Sequence, residues 1–274
     1  MTLTTLRLSR SGLNLSFQEQ GHGEPVVLVH GVGMQSAAWT PQIRDLSETH
    51  RVIAIDLPGH GGSDPLPDDS QLPDFVRWFG DVIETMGLPR VNVAGHSMGA
   101  LIAGGFAVEH PERISRVALI NGVFRRDADA SRAVIARAAV IRDGLADIET
   151  PLARWFGDTP VERAARDQVA GFLRAVDQDG YATAYAAFAH GDATYADKYA
   201  QITCPFLAMT GDEDPNSTPA MSTAMAQMAQ NGRAISINGH RHMVNLTAPE
   251  VVSAHLNDWL NQPATTEGLQ HDLT

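Results

Sequence analysis

Short apolar runs and longer segments of helical period alternate along the first 123 residues and again after residue 200. The runs "PVVLVHG", "RVIAIDL", "VNVAGHS" and "ISRVALING" are continuously apolar and bounded by turn residues, the pattern of strands buried on both faces. "LNLSFQEQG" alternates apolar with polar, as a half-buried edge strand does. Between them "SAAWTPQIRDLSE", "LPDFVRWFGDVIETMGL" and "MGALIAGGFAVEHP" carry helical spacing, the first in spite of its proline. Strands that alternate with helices in this way predict a doubly wound, mainly parallel sheet.

The alternation lapses from Phe124 to Ala200, where "ASRAVIARAAVIRDGLADI" and "VERAARDQVAGFLRAVD" read as helices and no buried strand is seen. It resumes at "PFLAMTGDEDP", "RAISING" and the helix "PEVVSAHLNDWLN". The expectation is one α/β core, 1–123 and 201–263, with a helical insertion over 124–200 and a flexible tail over 264–274.

Composition narrows the classes of partner. Of the 274 residues 43% are hydrophobic, enough for a sizeable core. A formal net charge of -12 disfavours nucleic acid and anionic membrane surfaces. The single cysteine, Cys204, excludes a disulfide framework within the chain and is read as a packing residue. No apolar signal core or membrane-length run is present, so the expected location is the cytoplasm. The glycines form no phosphate-binding fingerprint, so no nucleotide cofactor is expected. Oligomeric state is not legible.

Candidate chemistry gathers at "VAGHSMGA". Ser97 stands between Gly95 and Gly99, where a buried strand passes into a helix. Such a turn needs strained dihedrals and close chain approach, which glycine permits, and it thrusts the hydroxyl clear of the backbone. It also sets the serine at the carboxyl end of a parallel strand, with the positive end of a helix dipole facing any oxyanion formed there. A serine hydroxyl is a weak nucleophile, so it needs a base, and the base needs an orienting acid. "GDEDP" offers Asp212, Glu213 and Asp214; "GHRHM" offers His240 and His242. A metal on the two histidines lacks a third ligand nearby in sequence, so no metal site is expected.

From about Pro25 to Leu260 the chain resembles the α/β-hydrolase family, on "HGVG", "DLPGHGGSD", "GHSMGA" and "GDEDPNSTP" with "GHRHMVNLTAPE". The resemblance implies an eight-stranded, mostly parallel sheet with a helical lid, and the order Ser, Asp, His along the chain. It implies Ser97 as nucleophile, Asp214 as acid and His242, before "MVNLTAPE", as base. Relatives that carry the acid after the sixth strand would place it near Asn121, which cannot ionise. Backbone N–H groups of Val32 and Met98 would form the oxyanion hole. His30, His60 and His96 are read as structural.

In this family the lid selects the substrate. Trp39, Phe124, Trp155, Phe156 and Phe188 are candidates for an apolar pocket, though each could equally be packing. Arg125 or Arg126 is a candidate for holding a substrate carboxylate, against a reading of both as solvated surface. The resemblance points to cleavage of a small carboxylic ester or lactone. The rivals are a carbon–carbon or amide hydrolase and, from another class, a ligand receptor with slow or no turnover.

Overall fold

The computed structural model describes residues 3–144 and 147–264. Eight strands form one sheet: β1 (Leu3–Arg7), β2 (Asn14–Gln20), β3 (Pro25–Val29), β4 (Arg51–Ile55), β5 (Val91–His96), β6 (Ile114–Ile120), β7 (Phe206–Gly211) and β8 (Gly232–Ile237). Their spatial order is β1-β2-β4-β3-β5-β6-β7-β8. β1 and β2 run antiparallel, and all pairs from β4 to β8 are parallel. β5, β6 and β7 are buried along their whole length, as strands covered on both faces must be.

Among the described residues ten α-helices accompany the sheet: α1 (Thr40–Leu46), α2 (Leu72–Thr85), α3 (Met98–Glu109), α4 (Ala128–Arg142), α5 (Glu149–Trp155), α6 (Pro160–Ala175), α7 (Gln178–Gly191), α8 (Pro219–Met228), α9 (Val244–Thr247) and α10 (Pro249–Leu260). α1 packs with α10, whose apolar side chains share one cluster with Val26, Leu28 and Val52. α2 and α3 pack together, in the larger cluster with Val27, Val29 and Val93. Alternate residues of β3 thus face opposite cores. Helices α4 to α7 all fall between β6 and β7.

Three expectations need correction. β1 was not foreseen, because four of its five residues are exposed and it carries no burial alternation. The helix predicted from residue 36 is split: a short 3₁₀ turn over Ser36–Trp39 precedes α1, and Pro41 stands in the first turn of α1, where its missing N–H costs nothing. The helix predicted from residue 130 to 148 ends at Arg142, before Gly144 at φ 71°. Apart from Ala264, the tail expected over 264–274 lies outside the described residues. Among the described residues no helix is long and apolar enough to cross a membrane.

Candidate active site

The carboxyl ends of the central strands converge on one cavity of about 360 Å³. Gly31 and Val32 follow β3, Ser97 follows β5, Pro215 and Asn216 lie beyond β7, and His242 and Met243 lie beyond β8; all of them line it. This is the edge where parallel sheets carry their ligands.

Ser97 sits at φ 54° and ψ -110°, a backbone conformation disfavoured for any residue with a Cβ. The flanking glycines are required by contact. A Cβ on Gly95 would lie 2.0 Å from the Gly99 carbonyl oxygen, and one on Gly99 would lie 2.1 Å from that of Val29. Met98 opens α3, and the first N–H groups of a helix have no intrahelical acceptor. Its side chain is fully buried.

His242 donates from Nδ1 to Asp214 Oδ2 at 2.8 Å, with both side chains almost completely buried. This bond leaves Nε2 as the free ring nitrogen. Ser97 and His242 face the same cavity without a direct hydrogen bond between them. Asp214 is clasped from three sides: Asn121 Nδ2 donates to Oδ2 at 2.8 Å, and the Asn216 N–H donates to Oδ1 at 2.8 Å. Burial pushes the Asp214 carboxyl upward, but the charge and hydrogen bond of His242, together with the Asn216 and Asn121 donors, hold it below its ordinary value. Asp214 therefore remains ionised at neutral pH. His240 instead bonds Thr247 through Nδ1, and Asp212 accepts from the Gly239 N–H at the surface. Asn121 stands at φ 47° at the end of β6, and its role in holding Asp214 was not foreseen.

The other buried histidines hold loops. His30 Nε2 accepts from the Leu57 N–H, and His60 Nε2 accepts from the Gly33 N–H, so both brace the turn that carries Val32. His96 donates from Nε2 to the His242 carbonyl at 2.8 Å and so steadies the His242 backbone. Burial pushes His60 down to about 4 and His96 to about 3, and it lowers His30 as well, so all three are neutral.

The helical segment supplies the opposite wall. Trp155 stacks on His242 with ring centroids 5.7 Å apart, and Phe188 lines the cavity beside Tyr185. Arg241 donates to the carbonyls of Ala153 and Phe156, tying α5 to the loop of His242. Trp39, Phe124 and Arg125 do not reach the cavity. The 3₁₀ turn before α1 directs Trp39 into the core shared by α1 and α10, where it is fully buried. Phe124 packs on Tyr199, and Phe156 is buried away from the cavity as well. Arg125, at φ 46°, turns outward to pair with Asp197. That turn sends the next residue inward, and Arg126 lines the cavity with its side chain 6% exposed. Arg137, Arg154 and Tyr185 also line it, though no motif marks them. Among the described residues no group of three His, Cys, Asp or Glu side chains is arranged to hold a metal.

The model of the alpha/beta hydrolase fold family matches residues 24–249. An (E)-2-((N-methylformamido)methylene)succinate hydrolase of Acinetobacter baylyi is 50% identical over 95% of this chain and 98% of its own. A 3-oxoadipate enol-lactonase of the same organism is 28% identical over 88% of this chain and 91% of its own. A thermophilic esterase from Thermogutta terrifontis superposes with a TM-score of 0.87 at 23% identity, covering 97% of this chain and all of the other. The fold, the convergence of strand ends on one cavity and these matches agree: the chain is an enzyme of the α/β-hydrolase fold family.

Proposed function

We propose that this enzyme is a serine hydrolase that cleaves the acyl bond of a small carboxylate-bearing amide, with Ser97, His242 and Asp214 as its triad. The observation that carries the reading is the Asp214–His242 bond of 2.8 Å in the cavity that Ser97 enters from a strained turn. The relative at 50% identity supports an amide, because its name contains a formamide on a succinate. A lactone is supported by the more distant relative at 28%.

In this mechanism Ser97 Oγ attacks the acyl carbon and gives its proton to His242 Nε2. Asp214 stays ionised and stabilises the imidazolium through Nδ1. The N–H groups of Val32 and Met98 donate to the oxyanion, each contributing about 3 kcal/mol in such sites. The C–N bond breaks as His242 returns the proton to the departing nitrogen. Water then attacks the acyl-enzyme, its proton passes to His242 and on to Ser97, and a carboxylic acid leaves. The helical segment acts as a lid that keeps bulk water from the acyl-enzyme.

Proton release over a panel of amides, lactones and esters tests this. Ser97→Ala should lower turnover about 10,000-fold or more while the melting temperature stays unchanged. Turnover that persists in the folded variant would refute the assignment. Preference for lactones would move the bond class without moving the triad.

A further inference from the structure

The cavity carries positive charge that the triad does not use. Arg126, Arg137 and Arg154 line it and no carboxylate among the described residues does, in a chain of net charge -12. The three come from separate places: the loop after β6, α4 and α5. They are also graded in depth, Arg126 being buried, Arg137 half-buried and Arg154 exposed at the rim. All three converge on Tyr185, where burial pushes the phenol upward and their charges pull it back.

Their present partners leave capacity for an anion. Asp192 balances Arg126 through Nη1 at 3.0 Å, and the guanidinium lies 4.4 Å above the Phe188 ring. Its Nη2 is buried and donates no hydrogen bond, an arrangement that costs free energy until an acceptor arrives. Arg137 donates to the Asp147 backbone carbonyl at 3.2 Å and lies 5.9 Å from the Tyr185 ring centroid, beside the Tyr181 and Tyr185 phenols, and Arg154 donates to the Asn216 side-chain oxygen at 3.4 Å. Neither makes an ion pair within 4.0 Å among the described residues, although the exposed Asp147 carboxylate lies near enough to Arg137 to feel its charge. On α4, Ala130, Ala133 and Val134 precede Arg137 on one helical face, and all four line the cavity. The small side chains leave room beside the guanidinium, where a larger apolar stripe would have filled it.

We propose that this cavity is a binding site for small dicarboxylates, with Arg126 and Arg137 holding one carboxylate and Arg154 at the mouth holding the other. The assignment rests on the hydrolase reading, since the dianion is the body of the molecule whose acyl bond Ser97 attacks. Guanidinium forks match carboxylates in a bidentate way, and in a partly dry cavity such bonds are stronger than at a surface. Two carboxylates against three arginines, one already balanced by Asp192, also neutralise the site.

Isothermal titration calorimetry with succinate, butyrate and succinamide tests the inference on wild type, Ser97→Ala, Arg126→Gln, Arg137→Gln and Arg154→Gln. Succinate should bind wild type and Ser97→Ala alike, about tenfold or more tightly than butyrate or succinamide. Each arginine variant should weaken succinate about 10- to 100-fold, the value of one charged hydrogen-bonded contact. Succinate that binds no better than butyrate, or equally well to the arginine variants, would overturn it. Because Arg126→Gln strips Asp192 of its charged partner and could unfold the chain, Arg137→Gln and Arg154→Gln decide the matter independently. Succinate selectivity without Ser97-dependent turnover would remove the hydrolase reading alone. Ser97-dependent turnover without that selectivity would remove this inference alone.

Discussion

The sheet end and the helical segment build the two walls of one cavity by opposite means. At the sheet end, position comes from backbone. Ser97 is held by a turn that only Gly95 and Gly99 allow, Val32 by a loop pinned by His30 and His60, and His242 by a carbonyl bond from His96. Across the cavity, position comes from side chains on helical faces. Trp155, Arg137 and Arg154 reach in from α4 and α5. Strands and strained turns fix backbone geometry, whereas side chains on helical faces can change without altering the fold, which suits them to the proposed selection of substrate.

The largest expected effect that would sharpen this contrast is on acid stability. His30, His60 and His96 are neutral in the fold, yet in the unfolded chain each takes up a proton below about pH 6.5. The unfolded state therefore binds more protons, and stability, complete above pH 6.5, is lost as pH falls toward the folded values near 4 and 3. Each histidine contributes about 1 kcal/mol per pH unit in that window. Melting temperatures between pH 7 and pH 5 should fall steeply; a flat profile would show that the sheet end is not dry.

Next comes a pair of tryptophans. Trp39→Ala should cost about 3–5 kcal/mol of stability, as removal of a fully buried aromatic does. Trp155→Ala should cost about 1 kcal/mol or less but lower kcat/KM about tenfold through loss of its stack on His242. Denaturant melts and kinetics on both would separate the core behind the sheet from the helical wall, and equal stability losses would erase the contrast.

The smallest effect concerns Asn121. Asn121→Ala removes one donor from Asp214 and should lower kcat about tenfold with little change in KM. The acid limb of the rate profile should move to higher pH, because Asp214 loses a bond that holds it ionised. A purely structural residue would leave that limb in place.

This division of labour also decides what sequence reading reaches. A strained turn leaves glycines on either side, and continuously apolar runs mark the strands of the central sheet, so Ser97 and its setting are legible from pattern. Asp214 and His242 are singled out among neighbouring carboxylates and histidines only by likeness to a family. Trp39 falls in the 3₁₀ turn before α1, where helical spacing does not fix the direction of a side chain, so it could not be assigned from pattern. Nor does composition reveal that Arg125 adopts a positive φ and sends two adjacent arginines in opposite directions. α4 is exposed over most of its surface and carries no strong apolar stripe, so the face holding Arg137 had no signature to find.

Arg241 links the two walls mechanically. It sits next to His242 and grips the carboxyl end of α5, while Arg154 of α5 holds Asn216, whose N–H supports Asp214. Swinging α5 outward would break these ties and lift Trp155 from the His242 ring. Opening to admit a molecule would thus slacken the proposed base and acid together, and reseating α5 would restore both. Through these contacts any displacement of α5 and the support of the proposed base and acid would be coupled.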